Sequence, residues 1–208
     1  MTVALLVLAA YLLGAFPTSY VVGRAVKGID LREHGSGNLG ATNAFRVLGW
    51  RAASPIFIAD ILKGFVPAFW FPRLDGMETM PLWALAYGTA AVIGHVFSIF
   101  VGFRGGKGVA TAAGVFLALA PVAVLGGFLV WAGIVFATGY VSLASVTAAA
   151  LLPVFVLLAG RDVSVLALAV VLATFVIYAH RTNIRRLLRG EEHRFGRRAA
   201  ASAKPPGE

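Results

Sequence analysis

The run from Glu33 to Arg46, EHGSGNLGATNAFR, packs glycines, short hydrogen-bonding side chains and an arginine between hydrophobic stretches. Gly35, Gly37 and Gly40 permit turns with φ > 0, in which successive backbone N–H groups face a concavity suited to an anion. Ser36, Asn38, Thr42 and Asn43 add donors and acceptors, and the planar Arg46 guanidinium matches phosphate oxygens. These residues predict a phosphate-gripping loop, with a flexible glycine linker as the plain alternative.

Three further groups bear on that chemistry. Gly105, Gly106 and Gly108 surround Lys107 just before a helix predicted from Val109, a place where free N–H groups and a point charge attract anions. A basic anchor at the membrane edge is the simpler reading of that segment. Arg181, Arg185, Arg186 and Arg189 suit any cytoplasmic helix end, whereas Asn183 and Glu192 are less expected there and are candidate site residues. Ser142 and Ser145 follow a break at Gly139 and either line the same site or cap a helix.

Asp60 and Lys63 lie three apart inside a hydrophobic stretch, so they share a helix face. Charges in a bilayer are costly and usually paired, and a self-satisfied ion pair shaping a cavity wall is the reading preferred to direct catalysis. His95 reads as a hydrogen-bonded packing residue rather than a base. The chain has no cysteine, no histidine followed five positions later by aspartate, no nucleophile elbow and no metal-spaced His/carboxylate cluster. An enzyme made of these parts, with no cofactor or metal expected, relies on positioning and charge stabilisation.

The elements that must position these residues are membrane spans. Of 208 residues 59% are hydrophobic and 13% charged, against about 25% charged in soluble domains. The apolar N-terminus lacks a basic leader region and reads as a retained first span. Hydrophobic segments cover residues 2–22, 54–71, 81–101, 109–138, 140–159 and 163–180. The fourth is too long for one ordinary helix, and Pro121 with the Gly126–Gly127 pair offers a place to break it.

Charge decides the parity. With seven spans, the 24–53 loop, the 102–108 loop and the C-terminal tail put 15 basic residues on one side against 2 on the other; with six the balance is 8 against 9. The positive-inside rule favours seven, with the N-terminus outside and the tail cytoplasmic. A re-entrant pair in place of short fourth and fifth spans gives the same parity. The expected fold is therefore an all-α integral membrane protein of about seven transmembrane helices. Residues 1–196 form one polytopic domain, and residues 197–208 a disordered cytoplasmic tail. The net charge of +9 suits anionic headgroups or an anionic substrate, not nucleic acid.

GSGNLGATN (35–43) with Arg46, Gly94 and His95 with FRGGKGVAT (103–111), YVSLAS (140–145) and HRTNIRRLLRGEE (180–192) together resemble the bacterial acyl-phosphate-dependent glycerol-3-phosphate acyltransferase family. The likeness runs to about residue 196, with Ser98 where that family commonly has proline and Arg104 where it has lysine. It implies catalytic roles for Ser36, Arg46, Lys107 and Asn183. It also implies phosphate or substrate binding by Gly35, Gly37, Asn38, Gly40, Thr42, Asn43, Gly105, Gly106, Gly108, Ser142, Ser145, His180 and Glu192. The implied substrates are acyl phosphate and glycerol 3-phosphate, at the cytoplasmic face of a bacterial inner membrane, with membrane lipid around the chain and no obligate protein partner. Substrate-assisted acyl transfer is the expected mechanism. A transporter for a phosphorylated metabolite, or an acyltransferase using acyl-CoA or acyl carrier protein, are the alternatives.

Overall fold

A computed structural model describes residues 3–79 and 81–195; the tail expected at 197–208 lies outside the described residues. Ten α-helices follow in chain order: α1 (Val3–Ala15), α2 (Thr18–Lys27), α3 (Ala41–Leu48), α4 (Trp50–Leu74), α5 (Pro81–Val96), α6 (Val109–Leu119), α7 (Pro121–Thr138), α8 (Val141–Leu158), α9 (Val163–Ala179) and α10 (Arg181–Leu188). Short 3-10 turns at Leu31–Glu33 and Ile99–Val101 complete the set, and the described residues contain no strand.

Five segments are long and apolar enough to cross a membrane: α1 with α2, α4, α5 with the turn after it, α7 and α8. The pair α9 and α10, bent by 57° at His180, gives a sixth when the two are counted as one span, and α6 is an apolar helix of only 11 residues. The long hydrophobic stretch thus breaks at Pro121, and the glycine pair lies within α7. Proline lacks the N–H that would continue α6, and its fixed φ suits the first position of α7. The fourth segment is short as expected, and the fifth has a full 18 residues.

Helices approach closely where glycines face backbone. A Cβ at Gly64 would overlap the Thr111 carbonyl and one at Gly114 the Ile61 carbonyl, so α4 and α6 lie in near backbone contact. Gly14 and Gly94 do the same for α1 and α5, against Ala91 and Tyr11. Lipid offers no hydrophobic drive for helix association, so small residues that let backbones meet take that role. Around these contacts Val92, Val115, Phe116, Val156 and Leu172 form the largest buried cluster, while Leu31, Leu39, Ala44, Ile56 and Val101 form another beneath the glycine-rich loop.

The first span is interrupted at Pro17, and the freed carbonyls are taken by side chains from other helices. Lys63 Nζ donates to Phe16 O at 2.5 Å and to Asp60 Oδ1 at 2.9 Å. Ser98 Oγ donates to Ala15 O at 2.5 Å. The Asp60–Lys63 pair expected from the sequence therefore exists, and it also pins a break in the backbone. Ser98, which stands where relatives were expected to carry proline, supplies a hydroxyl that proline does not have.

The close α4–α6 approach gives the first prediction. Gly114→Ala should destabilise the detergent-solubilised protein by about 1–3 kcal/mol, the cost of overpacking, read as a lower unfolding temperature. Gly133→Ala, where a Cβ meets nothing within 4 Å, should stay within about 1 kcal/mol of the parent. Equal behaviour of the two variants would contradict the packing.

Candidate active site

The Glu33–Arg46 loop is built on one side chain. Asn43, 1% exposed, accepts from the Ser36 N–H at 2.8 Å and donates to Leu31 O and His34 O, each at 3.0 Å. Both amide protons and one lone pair of the oxygen are used, so Asn43 staples the loop while lining the cavity. Gly35 and Gly37 take φ of 62° and 70° as expected. Gly40 does not: at φ −121° it is the extended residue that begins α3, and a Cβ there would come within 2.8 Å of Asn38 Nδ2. Upstream, Asp30 accepts from Arg32, which holds its carboxyl below the usual range, and Arg32 also reaches Val101 O at 3.1 Å.

This loop opens on a cavity of about 480 Å³. Its polar end is lined by Ser36, Asn38, Gly40, Thr42, Asn43, Arg46, Lys107, Gly108, Ser142, Ser145, His180, Asn183 and Glu192, with Asp60 and His95 in the wall. From there the cavity continues along α6, α7 and α8 between Phe116, Leu117, Val124, Leu125, Phe128 and Leu152. Four residues expected at the site are not on the wall. Gly35 and Gly37 shape the loop from behind. The N–H groups of Gly105 and Gly106 are consumed by Val96 O at 2.9 Å and His95 O at 3.1 Å, and a Cβ at Gly106 would overlap His95 Nε2. They are packing glycines, not an anion nest.

Instead, two helix starts face the cavity. Gly40 precedes α3 and Gly108, at φ 80°, precedes α6, and neither helix carries a side-chain cap. Uncapped N-terminal N–H groups and the positive end of the helix dipole favour an anion.

Glu192, 5% exposed, organises the opposite wall. It accepts from Ser142 Oγ at 3.1 Å, Asn183 Nδ2 at 2.8 Å and Arg186 Nε at 2.7 Å. Burial raises the carboxyl pKa, but these donors and the Arg186 charge outweigh it and hold Glu192 below its ordinary value. Lys107 Nζ donates to Asn183 Oδ1 and so bridges the two walls. Neither serine caps α8, because Ser142 serves Glu192 and Ser145 accepts from Trp131 Nε1 at 3.2 Å. His180 points Nδ1 at Val176 O, 2.7 Å away.

Arg186 and Trp131 were missed by the sequence reading. Nothing distinguished Arg186 from its basic neighbours, but an indole N–H inside a hydrophobic span needs a partner, which was a usable signal. Asp60 and His95 join the wall with His95 Nδ1 3.8 Å from Asp60 Oδ1.

The cationic side of the site is under-compensated. Arg46 Nε is buried without a hydrogen-bond partner among the described residues, and burial pulls its guanidinium below its ordinary pKa. Burial likewise pushes the Lys107 ammonium down to about 8, with Glu192 opposing and the Arg186 and Arg46 charges adding to the shift. An unpartnered buried donor beside neighbouring cations raises the local positive charge and leaves a hydrogen-bonding position that a protein acceptor does not fill.

A family model described as glycerol-3-phosphate acyltransferase matches residues 4–190. The chain belongs to the glycerol-3-phosphate acyltransferase family. A relative of that name from Aquifex aeolicus (strain VF5) is 48% identical over 91% of this chain and 97% of its own length. Another, from Geobacter sulfurreducens, is 46% identical over 89% and 94%. Among solved structures, PlsY (YgiH), an integral membrane glycerol 3-phosphate acyltransferase, superposes in its glycerol 3-phosphate form with a TM-score of 0.88 at 45% identity, covering 96% of this chain and 98% of that one. Its lysophosphatidic acid form gives 0.85 at 44%. This chain is thus a PlsY-type, all-helical integral membrane member of the acyltransferase family.

The depressed Lys107 pKa sets a pH dependence. Lys107 is a cation below about pH 8 and loses its charge above it. Inorganic phosphate is already a dianion there. Its dissociation constant, measured by calorimetry, should rise by up to about tenfold per pH unit above the break. Lys107→Arg, charged throughout, should flatten the curve. A wild-type affinity independent of pH in this range would show that Lys107 does not meet the anion.

Proposed function

We propose that the protein transfers a fatty acyl group from acyl phosphate to the 1-hydroxyl of glycerol 3-phosphate, releasing lysophosphatidic acid and phosphate. The observation that carries the reading is one continuous cavity with a cation-rich end and an apolar arm. The first suits phosphate, and the second suits an acyl chain. The glycerol 3-phosphate dianion sits between Arg46 and Lys107, whose mutual repulsion it relieves. The donor phosphate lies against the Ser36–Thr42 loop and the start of α3. The acyl chain extends along α6 to α8.

In the reaction the 1-hydroxyl oxygen attacks the acyl carbonyl carbon. The bond from that carbon to the bridging phosphate oxygen breaks, and the hydroxyl proton passes to a phosphate oxygen of the donor. A mixed anhydride is already activated, so charge stabilisation of the leaving phosphate and orientation of the hydroxyl suffice. Ser36 and Asn183 are assigned to orientation, Arg46 and Lys107 to charge. The bacterial inner membrane, with the site on the cytoplasmic side, is the setting in which basic loops on one face make sense.

A competing reading follows from the 3.8 Å approach of His95 Nδ1 to Asp60 Oδ1, which makes a histidine base conceivable. Against it, Asp60 is already paired to Lys63, and His95 Nε2 faces the backbone at Gly106.

Purified protein in detergent, given glycerol 3-phosphate with acyl phosphate or acyl-CoA, separates the possibilities. Product from acyl phosphate is expected. Product from acyl-CoA alone would overturn the donor, and none from either would favour transport. Arg46→Lys and Lys107→Met should each lower kcat/KM by more than about tenfold, since a charge-assisted contact is worth roughly 1.5–3 kcal/mol. The pH–rate profile of His95→Gln should keep the wild-type shape; loss of a limb would install His95 as the base.

A further inference from the structure

Beyond Glu192 the chain makes a strap that no part of the proposed chemistry uses. Phe195 N donates to Gly139 O at 2.7 Å, and Arg194 Nε donates to Tyr140 Oη at 3.0 Å with its guanidinium 5.1 Å from that ring. Gly139 has φ 78°, and a Cβ there would stand 3.3 Å from Phe195 O, so a glycine suits both the turn and the docking. From this mooring on the α7–α8 turn, the Phe195 ring reaches across to Phe45 on α3, with centroids 4.4 Å apart and planes at 41°.

The helix it touches is held from the other side by Ala44 in the cluster with Leu31, Leu39 and Ile56, by the Asn43 bonds to the loop and by Lys27 Nζ, which donates to Val47 O at 2.7 Å; Phe195 adds a contact from the Glu192 side. α3 has eight residues, begins after Gly40 and ends at Gly49, whose φ is 84°. Phe45 immediately precedes Arg46, the cation with the orphaned Nε. Among the described residues, the contacts that join the loop side of the cavity to the Glu192 side include Lys107 to Asn183 and Phe45 to Phe195. The first spends one of the three ammonium protons of Lys107 and leaves the others for an anion. The aromatic contact is apolar and involves no group that an anion would engage.

We propose that Phe195 is a positioning residue: through Phe45 it holds α3 at the separation from Lys107 at which Arg46 and Lys107 share one phosphate. The identity of that ligand as glycerol 3-phosphate rests on the proposed function; the positioning itself concerns any phosphate.

The test uses the full chain in detergent, comparing wild type with Phe195→Ala, Phe195→Leu, Phe45→Ala and the double alanine variant. Inorganic phosphate affinity by calorimetry is read beside KM and kcat for glycerol 3-phosphate and the unfolding temperature. Phe195→Ala should weaken phosphate binding and raise KM roughly three- to tenfold, with kcat within about twofold, as expected for losing one aromatic contact. Phe195→Leu should recover much of the loss. Phe45→Ala should match Phe195→Ala, and the double variant should be no worse than either single. Unchanged phosphate affinity in Phe195→Ala, or strictly additive single effects, would overturn the assignment. So would a fall in unfolding temperature without a change in affinity. Absence of lysophosphatidic acid from the wild type would defeat the functional reading alone, since phosphate affinity still reports on the strap.

Discussion

Glu192 is buried and accepts hydrogen bonds from the start of α8, through Ser142, and from two residues of α10, Asn183 and Arg186. A lone carboxylate in such surroundings would be expensive, and leaving any one of these donors unpaired would cost nearly as much. The anion is therefore tolerable only when α8 and α10 are both in place, and α10 is in place only because α9 bends at His180. Through Asn183 the same network reaches Lys107 at the start of α6. One carboxylate thus ties α6, α8 and α10 together at the polar end of the cavity, beside the cations Arg46 and Lys107.

Its counterpart is the deliberate shortage of acceptors around Arg46 and Lys107. Burial works against both cations, and each sits in the field of Arg186 as well. Full compensation by protein carboxylates would leave no reason for an anion to enter. Partial compensation keeps the ammonium and guanidinium in place while leaving Arg46 Nε without an acceptor among the described residues, the feature on which the proposed phosphate site rests.

The surrounding bundle obeys the rule that irregular backbone inside a membrane protein must be buried in protein or line a cavity. The breaks at Pro17 and Pro121 illustrate both solutions. At Pro17 the free carbonyls are capped by Ser98 and Lys63. Pro121, after the C-terminal end of the short α6, lines the cavity itself. Gly64 and Gly114 matter for the same reason, because the closeness of α4 and α6 places Asp60 on the cavity wall beside the helix that carries Gly108.

Residue order alone carried the class of the protein, the hydrophobic segments and the motif residues, because hydropathy and glycine punctuation are local properties. The Asp60–Lys63 pair was legible for the same reason, being three residues apart on one helix. Which glycines would serve a ligand was not legible. Gly105 and Gly106 share the composition of Gly108, yet their N–H groups are taken by carbonyls of the α5 end, a pairing that depends on the fold. That Asn43 staples the loop was not legible either, because the carbonyls of Leu31 and His34 reach it only in the fold. Arg186, Trp131 and Phe195 gained roles from partners 6, 14 and 150 residues away in the chain. The sequence by itself determined which side chains were available and that a membrane would hold them. Only the tertiary structure decided which remained free, since a hydrogen-bonding group is committed or vacant according to what packs against it.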